Sequence, residues 1–311
     1  MTAFPFTLRA PTKDDAQSIA HGVIANEIAE TGDAGTIPED ILELWENEET
    51  DLQADARVLI TKEGDIIGYV GVNQDNHGFK LDAHTHVHPA YHHRGLEHIL
   101  LQFAEDRVGH HLESDSTLPR LIRTPSFSPA WTQLLLQEGY TVTSSDWRME
   151  IAMHEMPPAP PPLEGITIRR YRAGQEEKVI HTVVQKAFQD IGSYPSQPFE
   201  EWKRGVLDRS SFDPALLYVA LSEEAVVGVI ICRSYPDQHQ GHINQVAVLR
   251  AWRKRGIAFQ LLYTVFGEYY RRGMTSVILD VDAHIATGAH QLYQRAGMHK
   301  SMQVDNLQKK L

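Results

Sequence analysis

A chain of 311 residues is long for one hydrophobic core and comfortable for two domains of about 150 residues each. Hydrophobic residues make up 42% of it and charged residues 23%, the balance of an ordinary globular protein rather than a disordered or fibrous one. The formal net charge of −12 disfavours a general nucleic-acid binder, which carries a basic excess, and is compatible with a cationic or amine substrate.

The opening segment MTAFPFTLRAPTKDD has no apolar leader run, and no stretch approaches the ~20 apolar residues of a membrane span, so the expected location is the cytoplasm. Phe6 to Arg9 reads as a strand and is followed by a helical stretch. Arg57 to Val72 reads as strand, turn and strand, with Gly68 inside the second strand. His84, His86 and His88 alternate, so one strand would put all three on one face, where imidazoles can bind zinc; a polar strand face is the plainer reading, and no metal is expected. Val87 to Leu96, VHPAYHHRGL, is a loop entering a helix, and Leu134 to Tyr140, LLLQEGY, closes this half. Met156 to Gly165 then brings five prolines, which resist helix and sheet alike and predict a semi-rigid spacer.

Beyond the prolines the same order returns. Ile166 to Arg169 matches Phe6 to Arg9, Ala215 to Cys232 matches the hairpin with Gly228 in place of Gly68, and Val248 to Ile257, VLRAWRKRGI, matches Val87 to Leu96 without a gap. Leu292 to Met298, LYQRAGM, faces LLLQEGY. Four anchors recur in order at offsets of 158 to 161 residues, which marks a duplicated domain. The expected division is residues 1–155, a linker at 156–164, and 165–311, each half an α/β domain with a mixed central sheet flanked by helices. Cys232, the one cysteine, lies in an apolar run and reads as a buried structural thiol.

The chemistry concentrates in Val246 to Ala258, where a strand runs through a basic, glycine-containing loop straight into a helix. A helix N-terminus carries unpaired N–H groups and partial positive charge, Gly256 allows close backbone approach, and Arg253, Lys254 and Arg255 add charge; together they suit a pyrophosphate. Arg253-Lys-Arg-Gly256-Ile-Ala258 resembles the pyrophosphate loop of the GNAT (GCN5-related) N-acetyltransferase superfamily, and Leu292 to Met298 resembles a second signature of that family. The duplicated layout is similar to its tandem, mycothiol synthase-like branch.

The resemblance implies two tandem GNAT-like domains and acetyl-CoA as co-substrate. The backbone of Val246, Ala247 and Val248 would pair with the pantetheine arm, and the N–H groups of Arg255, Gly256, Ile257 and Ala258 would cradle the pyrophosphate. Tyr293 would protonate the departing thiolate. The family's glutamate base, six residues before the valine, is replaced by His242, which can accept a proton near neutral pH directly or through water. Asn244 shares its strand face by alternation and could position a water, and Asp280 and Asp282 are further candidates for the base. Ile285 stands where the family places Asn.

In the first copy His92 replaces the leading Arg, Glu97 puts a carboxylate where the anion should sit, and Leu135 takes the place of Tyr293, so this half reads as a scaffold. The expected acceptor is a small-molecule or peptide amine, lined by Ala187 to Arg209 and the interdomain face, in a monomer or homodimer without nucleic-acid or membrane partners. A catalytically silent acyl-CoA-binding or interaction module is the alternative from another class, and a histidine-based metal regulator a third.

Overall fold

The computed structural model describes residues 6–32, 36, 38–45, 51–74, 80–111, 121–189, 196–209, 212–284 and 287–311. It divides into two compact units, residues 1–146 with 302–311, and residues 147–301.

The first unit runs β1 (Phe6–Arg9), α1 (Ala16–Thr31), α2 (Pro38–Trp45), a short α3 (Leu52–Asp55), β2 (Ala56–Thr61), β3 (Ile66–Gln74), β4 (Lys80–Val87), α4 (Leu96–His111), β5 (Leu121–Ser126), α5 (Pro129–Gln137) and the start of β6 (Thr141–Ala152). β1 to β4 pair antiparallel in order, and β4 joins β5 in parallel. Alternation divides the sheet between two cores. Val58 and Tyr69 meet α1 and α2, while Leu59 and Val70 meet α4.

The second unit repeats the plan: the end of β6, then β7 (Thr167–Arg170), α6 (Glu177–Phe188), α7 (Phe199–Val206), β8 (Leu217–Ser222), β9 (Ala225–Tyr235), β10 (Gln240–Val248), α8 (Ile257–Arg271), β11 (Ser276–Asp282), α9 (Ala289–Arg295) and the start of β12 (His299–Lys310). On one face Ile230 and Cys232 pack with α8, and on the other Val229 and Ile231 pack with α6 and α7. α8 buries Leu261, Leu262, Val265, Phe266 and Tyr269, each apolar side chain worth roughly 1.5–3 kcal/mol over its exposed state. Cys232 is buried, and burial pushes its thiol up to about 12, so it is protonated and inert at neutral pH.

The division at residues 156–164 is linear, and the compact units are not. Residues 302–310 of β12, at the far end of the chain, belong to the first unit, where Asp305 to Lys310 run antiparallel to β5. Residues 147–152 of β6 neighbour β11 in the second. Each copy thus gives up most or half of its last strand to the unit built from the other copy. The proline segment is not a bare spacer either. The Pro161 carbonyl accepts a hydrogen bond from Gln260 Nε2 (3.3 Å), and Leu163 packs against the α8 core.

Candidate active site

The site begins where two parallel strands part. β10 pairs with β11 only through Gln240, Gly241 and His242, opposite Ser276, Val277 and Ile278. On its other edge β10 stays paired with β9 as far as Val248. Among the described residues the β11-side edge of residues 243–248 therefore has no strand paired to it, which leaves the backbone of Val246 to Val248 open to an extended ligand.

A β-bulge falls inside this segment. Ile243 opposes Cys232 and Gln245 opposes Ile231, so Asn244 is the extra residue. Simple alternation, which put Asn244 on the face of His242, does not carry through a bulge. Gly241 is required just before it, because a Cβ there would lie 2.6 Å from the Tyr269 ring. The Tyr269 hydroxyl is shared between the carbonyls of Arg233 (2.6 Å) and His242 (3.0 Å), which fixes the strand where the base candidate sits.

His242 is half-buried, with Nε2 3.7 Å from Asp280 Oδ2 and Tyr235 stacked alongside. Arg148, on β6, holds Asp280 with both arms of its guanidinium, at 3.0 and 3.3 Å. Burial alone would raise the Asp280 carboxyl, but His242 and Arg148 outweigh it and hold it down to about 2. Asp282 is spent differently. Its carboxylate accepts the His284 N–H at 2.7 Å, forming a turn.

This arrangement has a pH signature. The depressed Asp280 contributes stability that is present above the ordinary carboxylate value of 3.8 and is lost as pH falls toward about 2. In denaturant titrations wild type should lose more stability between pH 4 and pH 2 than Asp280→Asn does. Parallel pH curves for the two proteins would show that the Arg148–Asp280–His242 chain is not formed in solution.

Tyr293 lies on α9, whose N-terminal end is anchored by His290. That ring bonds the Asp282 carbonyl at 2.9 Å and packs 4.7 Å from Trp147. Tyr293 is buried at 8% exposure, makes no side-chain hydrogen bond among the described residues, and is raised by burial to about 12. Its hydroxyl is therefore protonated at neutral pH and can donate. Ile285 lies outside the described residues.

The loop before α8 is a backbone cradle. Lys254 and Gly256 both take left-handed conformations, with φ of 62° and 84°, and Gly256 caps the helix without a side chain. Successive N–H groups in such a turn form a concave anion site at a helix N-terminus. The three cations are not equivalent. Arg253 donates to the carbonyls of Val248 (3.2 Å) and Ala187 (2.6 Å) and so braces the loop against α6. Arg255 stacks on Trp252, 4.7 Å from the ring centre. Lys254 is exposed.

The family model for the acetyltransferase (GNAT) family matches residues 26–121 and again 180–298, together well over half of the sequence. The chain belongs to the GNAT acetyltransferase family. A GCN5-related N-acetyltransferase from Sphaerobacter thermophilus is 32% identical, with a TM-score of 0.81 over 98% of this chain and 95% of that one. A curated mycothiol acetyltransferase from Saccharopolyspora erythraea is 28% identical over 247 residues, 75% of this chain and 78% of the relative. A tandem GNAT protein from the clavulanic acid biosynthesis pathway shares the fold across 98% of both chains, with a TM-score of 0.75 at 10% identity. The fold class is thus two tandem GNAT-like α/β domains, and the GNAT fold implies acetyl-CoA binding.

Both GNAT copies keep the scaffold of the site. In the first unit β4 and β5 pair only through Lys80 to Asp82 and then part, and the loop before α4 repeats the left-handed pair, with φ of 62° at His93 and 76° at Gly95. His92 Nε2 reaches the Val87 carbonyl at 2.8 Å, as Arg253 reaches that of Val248. The copies differ at the chemistry. β4 pairs with β3 one-to-one from Asp82 to Val87, without a bulge. Asp82, in the register place of His242, is closed by a two-armed salt bridge to Arg123 at 2.7 and 2.8 Å. Leu135 is fully buried in the place of Tyr293. His88 falls outside β4 and accepts the Ala90 N–H, so the three histidines do not share one strand face. Among the described residues no group of three or more potential ligands is placed to hold a metal, and no helix is long and apolar enough to cross a membrane.

Proposed function

We propose that the second unit is the catalytic one and that it moves an acetyl group from acetyl-CoA to a primary amine by direct attack. The observation that carries this reading is His242, backed by Asp280 and Arg148, at the point where β10 and β11 part. The unpaired β10 edge and the cradle at Lys254 to Gly256 fit the pantetheine arm and the pyrophosphate of acetyl-CoA, which supplies an activated thioester. Asp280 holds the His242 imidazole in place and stabilises the cation formed when that ring takes a proton from the incoming ammonium. The amine nitrogen then bonds to the carbonyl carbon, the carbon–sulfur bond breaks, and the nitrogen gives up its second proton to solvent, as His242 does with the one it took. Tyr293 gives its hydroxyl proton to the leaving thiolate and regains one from solvent.

A silent acyl-CoA-binding module is disfavoured, because such a module has no use for a backed histidine where the strands part or for a tyrosine held protonated. The acceptor is an amine, and the likeness to mycothiol acetyltransferases makes the deacetylated form of mycothiol the first compound to try. Release of free CoA thiol across a panel of primary amines should identify substrates. Acetyl-CoA binding with no release on any amine would support the silent module instead.

His242→Gln keeps polarity but cannot take a proton at neutral pH. With an active amine, kcat/KM should fall about 10²-fold or more, the low end of general-base effects, and lose the limb that depends on the imidazole. The limb set by the amine's own ionisation should persist. An unchanged rate and profile would move the base to ordered water.

A further inference from the structure

The first unit's cleft is not filled. A cavity of about 120 Å³ lies where β4 and β5 part, lined among others by Asn26, Glu30, His84, His86, Glu97 and Trp131. No lysine or arginine lines it. Glu30 on α1 is held there by the Ser128 hydroxyl (3.1 Å), and Asn26 is tied to His92 (2.9 Å). Burial lowers the pKa of His84 and takes that of His86 down to about 3, so both rings are neutral and each keeps one accepting nitrogen. The buried Nδ1 of His86 and the buried Thr85 hydroxyl have no hydrogen-bond partner, an unusual state for interior polar atoms.

An ammonium group supplies three donors and one positive charge and needs no acceptor. That complements a lining of carboxylates and neutral imidazoles beside an indole ring, which also attracts cations. An acyl-CoA pyrophosphate is the opposite case, since Glu97 stands in the first turn of α4 where the anion would rest. We propose that the cleft of the first unit binds a small organic ammonium compound, with Glu30 as its counter-ion and Trp131 against its carbon skeleton. The volume is about four times one water's share of the liquid, room for a chain of roughly five heavy atoms. The site is separate from the acetyl-transfer cleft and does not depend on the reading given to it.

The test uses the full chain labelled with 5-fluorotryptophan, the Trp131 resonance being assigned with Trp131→Phe. n-Butylammonium should shift that resonance saturably, with half-saturation on the order of 1 mM for so small a ligand. 1-Butanol, of the same shape without the charge, should bind at least about tenfold more weakly, and butyrate should not bind. Glu30→Gln should weaken n-butylammonium by about tenfold or more. If that variant does not fold, the three-ligand comparison on wild type stands alone. An equal response to 1-butanol would leave only an apolar cavity. A preference for butyrate, or no response to any of the three, would overturn the proposal. A Trp131 shift with acetyl-CoA and none with n-butylammonium would make the cleft a second acyl-CoA site.

Discussion

Tyr293→Phe should lower kcat by about 10²–10⁴ while leaving acetyl-CoA affinity within a few-fold of wild type. The substitution removes one hydroxyl from a buried ring that makes no side-chain hydrogen bond among the described residues, so no such bond is lost and the ring stays packed. Burial holds the phenol at about 12, which keeps it a donor across the working pH range. What disappears is the proton for the thiolate, whose unassisted departure is slower. Pre-steady-state mixing, which separates chemistry from product release, is the measurement. A chemical step within threefold of wild type would take Tyr293 out of the mechanism. Leu135→Ala at the equivalent place of the first unit should instead cost about 2–5 kcal/mol of stability, because it empties a packed site.

Gly256→Val should abolish measurable acetyl-CoA binding. The residue sits at φ 84°, which a β-branched side chain adopts only under strain, and an added Cβ would meet Leu163 at 3.4 Å on one side. Relief of that strain turns the peptide and takes the N–H groups out of the cradle. The fold should survive, since α8 is held by its core face and by Glu268, which pairs with Arg170 and Arg272 at 2.9 Å each. Circular dichroism like wild type with calorimetric silence toward acetyl-CoA is the expected pair of results.

The features that could be read from the chain were local. The duplicated hairpins, the RKRG loop and the LYQRAGM segment each depend on a few adjacent residues, and all fall in the expected elements. Gly68 and Gly228 were legible because each lets a helix come close. A Cβ on Gly228 would meet Ile257 at 3.2 Å, and one on Gly68 would meet Leu100 at the same distance. What escaped depends on pairing across the chain. The bulge at Asn244 is a register shift against β9, and no residue in β10 marks it. The exchange of strand ends needs knowledge of which strands become neighbours, and both copies offer similar closing strands. Asp280 and Asp282 are indistinguishable in sequence, and contacts with distant residues separate them, Asp280 facing His242 and being held by Arg148, 132 residues away. The charge of Arg253 is visible in the sequence, whereas the carbonyls it braces are not. The counterpart at His92, bonded to the matching carbonyl, was the available clue.

The central claim is that one half of a duplicated molecule keeps the acetyl-CoA site. It is tested most directly by titrating acetyl-CoA calorimetrically into wild type, Gly256→Val and Gly95→Val. Gly95 has the same left-handed backbone in the first unit, at φ 76°, so the two variants apply the same strain to the two loops. Wild type should bind acetyl-CoA at one site per chain, Gly95→Val at one, and Gly256→Val at none. Two equivalent sites in wild type, or a site lost with Gly95→Val and kept with Gly256→Val, would contradict that claim.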